Sequence, residues 1–210
     1  MQRHVLHMDL DSFFVSVERL QDRRLEGRPI LIGGTSDRGV VASCSYEARK
    51  FGIRSAMPMR MARSLCPEAV VIRGNSAAYS KQSKVVTDII REQVPILEKS
   101  SIDEFYADLT GMDRFFGALS FSSELRQRVM RESGLPISFG LSVNKTVSKV
   151  ATGEAKPNNQ RHVSGGDERS FLAPLSVRKI PMVGEKTYQT LRNLGIQHIG
   201  TLQEMPVDML

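Results

Sequence analysis

Apolar and polar positions alternate through Val5-Leu6-His7-Met8-Asp9-Leu10. The pattern predicts a strand with Leu6, Met8 and Leu10 on one face and Val5, His7 and Asp9 on the other. The period then changes: Phe13, Val17 and Leu20 recur at helical spacing, with Asp11 and Ser12 ahead of them as candidate caps. Two short apolar runs, Pro29-Ile30-Leu31-Ile32 and Val40-Val41-Ala42, flank Gly33-Gly34-Thr35-Ser36-Asp37-Arg38-Gly39, the composition of a hairpin loop. A short helix is expected over 45–51, closed by Gly52, and another over 59–65, ended by Pro67. A strand over 69–72 precedes a long helix over 76–94, with Tyr79, Val86, Ile89 and Ile90 on its apolar face. Strands around 99–102 and 105–109, a helix over 122–132, a strand over 137–143 and a helix over 144–155 complete the pattern. Pro157 disfavours helical geometry at Lys156, which places that lysine in a loop.

With residues 10–74 set aside, the remainder reads strand, helix, strand, strand, helix, strand, the order of a ferredoxin-like split βαβ unit. The set-aside stretch has strands and helices of its own and forms an inserted lobe. After Ser164-Gly165-Gly166 the chain turns to short helices, a separate small helical unit. The fold class expected is therefore α+β.

Composition narrows the function. Apolar residues make up 40% of the 210, enough for a core and too many for a disordered chain. Lys plus Arg exceeds Asp plus Glu by 29 − 23 = 6, which favours a polyanionic partner. Cys44 and Cys66 lie in no CxxC and beside no histidine, so neither a disulfide framework nor a zinc site is expected. Charges break the first eleven residues, which excludes a signal peptide, and no apolar run reaches membrane-spanning length. These features lead us to expect a soluble, cytoplasmic protein without a membrane partner.

The chemistry-bearing residues are acids. Ser101-Ile102-Asp103-Glu104 sets two of them side by side between strand-like runs. Neighbours in a flat strand point to opposite faces, so both reach one site only at a turn or distortion. If that turn lies beside the end of the first strand, Asp9, Asp103 and Glu104 converge. Clustered like charges call for cations, and hard oxygen donors select magnesium or manganese. Spacing alone equally allows Asp9 as a helix cap and Asp103-Glu104 as ordinary turn residues. Three glycine- or lysine-bearing segments fail as phosphate loops. No helix follows Gly33-Gly34 at the right spacing, Lys145 lacks the preceding glycine, and Glu185 separates Gly184 from Lys186.

Pattern decides what spacing leaves open. Met8-Asp9-Leu10-Asp11-Ser12-Phe13-Phe14-Val15-Ser16-Val17-Glu18 resembles the opening motif of Y-family DNA polymerases. Ser43-Cys44-Ser45-Tyr46-Glu47-Ala48-Arg49-Lys50-Phe51-Gly52, with Ala56-Met57-Pro58, resembles their finger motif. Ser101-Ile102-Asp103-Glu104 is similar to their second acidic motif, and Ser142-Val143-Asn144-Lys145 with Ala155-Lys156-Pro157-Asn158 to the later palm motifs. All stand in family order over nearly the whole chain, closest to the DinB, or polymerase IV, branch.

The resemblance implies a ferredoxin-like palm (1–9 and 75–163), an inserted α/β fingers lobe (10–74) and a small helical thumb (164–210) containing a helix-hairpin-helix. It implies template-directed, error-prone translesion synthesis on primer-template DNA with dNTPs, by a monomer using two Mg2+ ions, with Mn2+ as a substitute. Asp9 and Asp103 would ligate both ions, Glu104 the catalytic one, and the Leu10 backbone carbonyl would complete the nucleotide-bound ion's shell. Asp11 stays off that ligand set, as a cap or structural acid.

Tyr46 and Arg49, three apart, share a helix face and would meet the triphosphate together with Lys156, Ser43 and the backbone amides of Phe13 and Phe14. Phe14 corresponds to the aromatic that stacks beneath the deoxyribose as a steric gate, and Phe13, spaced to Val17, reads as core. Val40 and Ala42, with Ser43, form a small-residue lid over the base pair. Lys145, Lys149 and the Val183-Gly184 turn with Lys186 are the candidate DNA contacts. Ser148 stands where the family commonly has alanine. The family's little-finger domain and clamp-binding peptide would follow Leu210, so a sliding clamp is expected only for a longer protein. The rival readings are a catalytically inactive DNA-binding scaffold of the same shape and a nucleotide cyclase, which has no use for a helix-hairpin-helix.

Overall fold

The computed structural model describes residues 2–112, 117–206 and 208. Strand β1 (Val5–Leu10) has both faces covered, and Asp9 is its one residue that is not fully buried. It joins β5 (Ile96–Lys99), β6 (Glu104–Asp108), β7 (Ile137–Ser142) and β8 (Gln160–His162) in a five-stranded sheet of order β5-β6-β1-β7-β8. The first four strands keep the order of a ferredoxin-like sheet, and β8 adds an edge strand parallel to β7. The strand expected at 99–102 lies earlier, at Ile96–Lys99. Ser100 and Ser101 instead close the β5–β6 hairpin by donating their N–H groups to the Glu104 carbonyl.

The chain forms two compact units: residues 1–9, 90–128 and 137–210, and residues 10–89 with 129–136. Val207, Met209 and Leu210, which the thumb range includes, and 113–116, inside the palm range, lie outside the described residues.

In the first unit, helix α6 (Lys145–Ala155) lies against β7 and β8. Asn144 caps it by accepting from the Val147 N–H at 2.9 Å. Backbones meet closely here. A Cβ on Gly140 would fall 2.1 Å from the Ser148 carbonyl oxygen and 2.6 Å from the Thr152 nitrogen, so only glycine fits. Buried hydroxyls on the same helix reach β1: Ser148 Oγ is 2.7 Å from the Val5 carbonyl and Thr152 Oγ1 3.0 Å from that of His7. The Ser148 hydroxyl thus has a structural partner that alanine would lack.

The helical end of this unit holds α7 (Glu168–Leu172), a 3-10 turn (Val177–Lys179), α8 (Glu185–Asn193) and α9 (Ile199–Glu204), packed around Val177, Ile196 and Ile199. The 180–183 turn closes with the Val183 N–H on the Ile180 carbonyl, and fully exposed Met182 takes φ +72° there.

The second unit carries α1 (Phe13–Gln21) and a three-stranded sheet of order β3-β2-β4, from β2 (Ile30–Gly33), β3 (Val41–Cys44) and β4 (Val70–Ile72). Helices α2 (Tyr46–Arg49) and α3 (Met59–Leu65) complete the lobe. Its core gathers Leu31, Val41, Cys44, Ala48, Ile53, Met59, Ala62 and Cys66, and both cysteines are free thiols. Two long helices, α4 (Ser76–Arg91) and α5 (Ala118–Ser133), run through the boundaries of this division. Among the described residues no helix is long and apolar enough to cross a membrane.

Candidate active site

The first unit brings the sequence-predicted acids together through strand register. Asp9 near the end of β1 pairs directly with Glu104 at the start of β6. Asp103 sits one residue earlier, in the hairpin turn, which removes the flat-strand objection to adjacent acids sharing a site. Ser101 shapes that turn: its Oγ lies 2.7 Å from Asp103 Oδ1 and accepts the Glu104 N–H at 3.1 Å. Burial raises the Asp9 carboxyl to about 6. Lys156 opposes the rise, while the Asp103 and Glu104 charges add to it.

Two lysines answer these charges. Lys149 Nζ reaches both Glu104 oxygens at 2.6 Å, and Lys156 Nζ reaches Asp9 Oδ1 at 2.6 Å. Lys156 caps the end of α6 with extended backbone, in the non-helical position that Pro157 implies. Lys145 is paired with Glu98 and lies 5.2 Å above the Tyr106 ring.

Beneath the acids, His7 packs on Tyr106, its register partner, at 4.5 Å between ring centroids. Thr152 Oγ1 has one proton and two carbonyl neighbours, those of His7 and Ser148, so His7 Nδ1 at 2.8 Å is the donor to it. His7 Nε2 is then a buried acceptor without a partner. Burial, followed by the Lys149 and Lys156 charges, holds the ring's pKa down at about 3. It is a neutral structural histidine.

The second unit assembles the other set. Tyr46 and Arg49 share one face of α2, the guanidinium 4.7 Å from the Tyr46 ring centroid. Ser45 caps that turn, accepting from the Ala48 N–H. Asp11 is buried and its carboxylate accepts the Tyr46 hydroxyl at 3.3 Å, so this acid orients a tyrosine, as a structural acid does. Ser12 departs from the expected capping: it precedes α1 in left-handed geometry (φ +43°), without a side-chain cap, and its buried Oγ has no partner.

Phe13 is buried as expected of a core residue. Phe14 is half-buried, stacked on Tyr79 with centroids 4.4 Å apart and planes at 17°. Tyr79 donates to Glu18 Oε1 at 2.6 Å. Val40 and Ala42 are exposed and Ser43 half-buried along β3 and the residue before it, while Leu10 is buried. Val183 is half-buried, and Gly184 and Lys186 are exposed, at the start of α8. Sequence reasoning missed Tyr79 as the partner of Phe14, and the Glu104–Lys149 and Asp9–Lys156 pairs.

Among the described residues no three His, Cys, Asp or Glu side chains stand as a ready group for a metal ion. The donor chemistry nevertheless fits one. The Asp103 and Glu104 charges act on the Asp9 carboxyl, and Asp9 and Glu104 each already hold a lysine ammonium at hydrogen-bond distance.

The impB/mucB/samB family model matches residues 8–153, a span that contains every acid just described. The chain belongs to that family. It is 43% identical over 210 residues to DNA polymerase IV of Dehalococcoides mccartyi (strain CBDB1), covering 99% of this chain and 54% of that protein. To DNA polymerase IV of Treponema denticola it is 40% identical over 194 residues, covering 92% of the chain and 49% of the relative. The chain thus spans about half the length of the curated relatives it matches. Among solved structures, DinB from Sulfolobus solfataricus superposes with a TM-score of 0.90 at 26% identity, covering 98% of this chain and 61% of that one. An insertion ternary complex of Dbh DNA polymerase gives 0.89 at 26% identity, with 98% and 62% covered. The family assignment agrees with the Y-family motifs read from the sequence.

Proposed function

We propose that this chain carries the catalytic part of a translesion DNA polymerase, adding dNTPs to a primer 3′-hydroxyl. The observation that carries the reading is the Asp9–Glu104 register pair with Asp103 in the adjoining turn, since a scaffold without chemistry has no use for mutually repelling acids. Asp9, Asp103 and Glu104, with the Leu10 carbonyl, would hold two Mg2+ ions, or Mn2+ in their place. When bound, such ions supply charge stabilisation to the attacking and leaving oxygens of an in-line displacement.

The chain's own residues do the rest. Tyr46, whose hydroxyl would turn from Asp11 to a phosphate oxygen, and Arg49, held against the Tyr46 ring, would present a hydroxyl and a guanidinium to the triphosphate, and Lys156 and Ser43 would contribute polar contacts to it. The Phe13 and Phe14 amides open α1, where the unpartnered Ser12 hydroxyl marks a polar demand that an anion satisfies. The primer 3′-hydroxyl gives up its proton to water, and its oxygen bonds to the α-phosphorus as the bond to the pyrophosphate oxygen breaks. Phe14 would stack beneath the sugar and exclude a 2′-hydroxyl. Val40 and Ala42 leave the base pair a roomy lid, which suits damaged templates. The turn at Val183-Gly184 with Lys186, a helix-hairpin-helix in this reading, and Lys145 and Lys149 would hold the DNA backbone without reading its sequence.

Primer extension with magnesium at low salt tests the proposal. Asp103→Ala, verified as folded by circular dichroism, is expected to lose about a hundredfold or more in rate. Extension equal to the unsubstituted chain would reject it.

A further inference from the structure

Two of the three acids at the site, Asp9 and Glu104, are not left open to solvent cations, because each is engaged by a lysine of the same unit. Lys149 grips both oxygens of Glu104 at 2.6 Å, and Lys156 grips Asp9 at the same distance. The two are seven residues apart, two turns along α6 and its C-cap, so one helix edge delivers both charges to the acids. Both pairs are largely shielded: side-chain exposure is 33% and 24% for Lys149 and Glu104, and 20% and 18% for Lys156 and Asp9. Screening by water is correspondingly reduced. A divalent ion approaching either carboxylate therefore meets an ammonium group already in place.

We infer that Lys149 and Lys156 are resident counter-cations that keep Glu104 and Asp9, two of the three acids of the cluster, closed to free divalent ions until a triphosphate draws Lys156 away. The inference rests on the polymerase reading and adds an order of binding to it. The residue type suits the task. Lysine is a compact point charge on a flexible four-carbon stem, so it can leave a carboxylate, whereas arginine would hold it in a planar fork. A triphosphate carries more negative charge than one carboxylate and competes for Lys156. The ion then enters with the nucleotide and not ahead of it. Lys149, whose two contacts are on Glu104 itself, sets how readily that acid is released. Lys145, one turn earlier on the same helix, is paired with Glu98 instead and makes a natural control.

The test is Mn2+ binding by the chelator-treated chain without nucleotide or DNA, read from the loss of the free-ion electron paramagnetic resonance signal. Lys149→Met and Lys156→Met are each expected to bind Mn2+ about tenfold more tightly than the unsubstituted chain, the effect of about one pK unit of charge interaction. Lys145→Met is expected to bind as the unsubstituted chain does. Adding Asp103→Asn to Lys149→Met should remove the gain, and thermal melting confirms that each variant is folded. Unchanged or weaker affinity in both lysine variants, or a gain that survives Asp103→Asn, overturns the inference. If Mn2+ binding without the lysine effect is abolished by Asp103→Asn, the lysine inference alone falls. If no variant binds Mn2+ even with a dNTP present, and Asp103→Ala extends primers normally, the polymerase reading falls with it.

Discussion

Phe14 and Tyr79 lie nearly parallel, and the Tyr79 hydroxyl is tied to Glu18, so the plane of the Phe14 ring is set from beneath. A ring held this way rejects added volume, because yielding would cost the stacking contact and the hydrogen bond together. Phe14→Ala is therefore expected to erode sugar discrimination by about tenfold or more, in the range that steric exclusion by one side chain supplies. Comparing insertion of CTP and dCTP opposite template guanine checks it, and an unchanged ratio would remove Phe14 from that role. Part of this scale was legible: Phe13 as core and Tyr79 on the apolar face of its helix follow from spacing, while the role expected of Phe14 came from the family resemblance. The partners were not. Phe14 meets a ring on another helix, Lys149 an acid 45 positions away and Lys156 one 147 positions away, distances over which periodicity carries no information. Asp11 was open between a cap and a structural acid, since both uses take the same residue type, and its bond to a distant tyrosine fits the second.

Elements were recovered where one face is apolar and the other is not. Helix α3 falls at the predicted 59–65, and β7 and α6 agree to within a residue. The hairpin strand β5 was misplaced because Ile102, an apolar residue in the turn, mimics a strand position, while exposed Ile96 and Glu98 obscure the real alternation. Strand β8, Gln160-Arg161-His162, has no apolar pattern and exists through parallel pairing with β7, a tertiary fact. The register that aligns the site depends on α6 lying close to β7, and Gly140 permits that approach. Gly140→Ala forces the Ser148 carbonyl, which accepts the Thr152 hydroxyl at 2.9 Å, and the Thr152 nitrogen to move. We expect it to lower stability by about 2 kcal/mol, within the range of overpacked cores, measured by urea unfolding. Because α6 carries Lys149 and ends at Lys156, the same variant should weaken Mg2+-dependent extension. Undiminished stability would mean that the helix can shift freely.

At the scale of the molecule, the surplus of 29 basic over 23 acidic residues has to be weighed against how many cations are already engaged. Several are internal: Arg19 with Glu47, Arg128 with Glu92, Lys149 with Glu104, Lys156 with Asp9 and Lys179 with Glu154. Lys186 is exposed beside the Val183-Gly184 turn. A chain that grips DNA through a few such charges and backbone amides binds without reading sequence, and its affinity is dominated by counterion release. With about four phosphates neutralised, affinity should fall about a hundredfold between 50 and 200 mM salt, from a slope near −0.9 per phosphate. Lys186→Met should reduce the magnitude of that slope by about one while weakening all sequences alike. Fluorescence anisotropy of a labelled primer-template across a salt series reads both quantities. A flat salt response, or a Lys186→Met variant with the original slope, would mean that DNA is held through contacts other than these. The Lys149 and Lys156 pairs sharpen the expectation, since cations occupied by the acids of the site release no DNA counterions until those acids are occupied by something else.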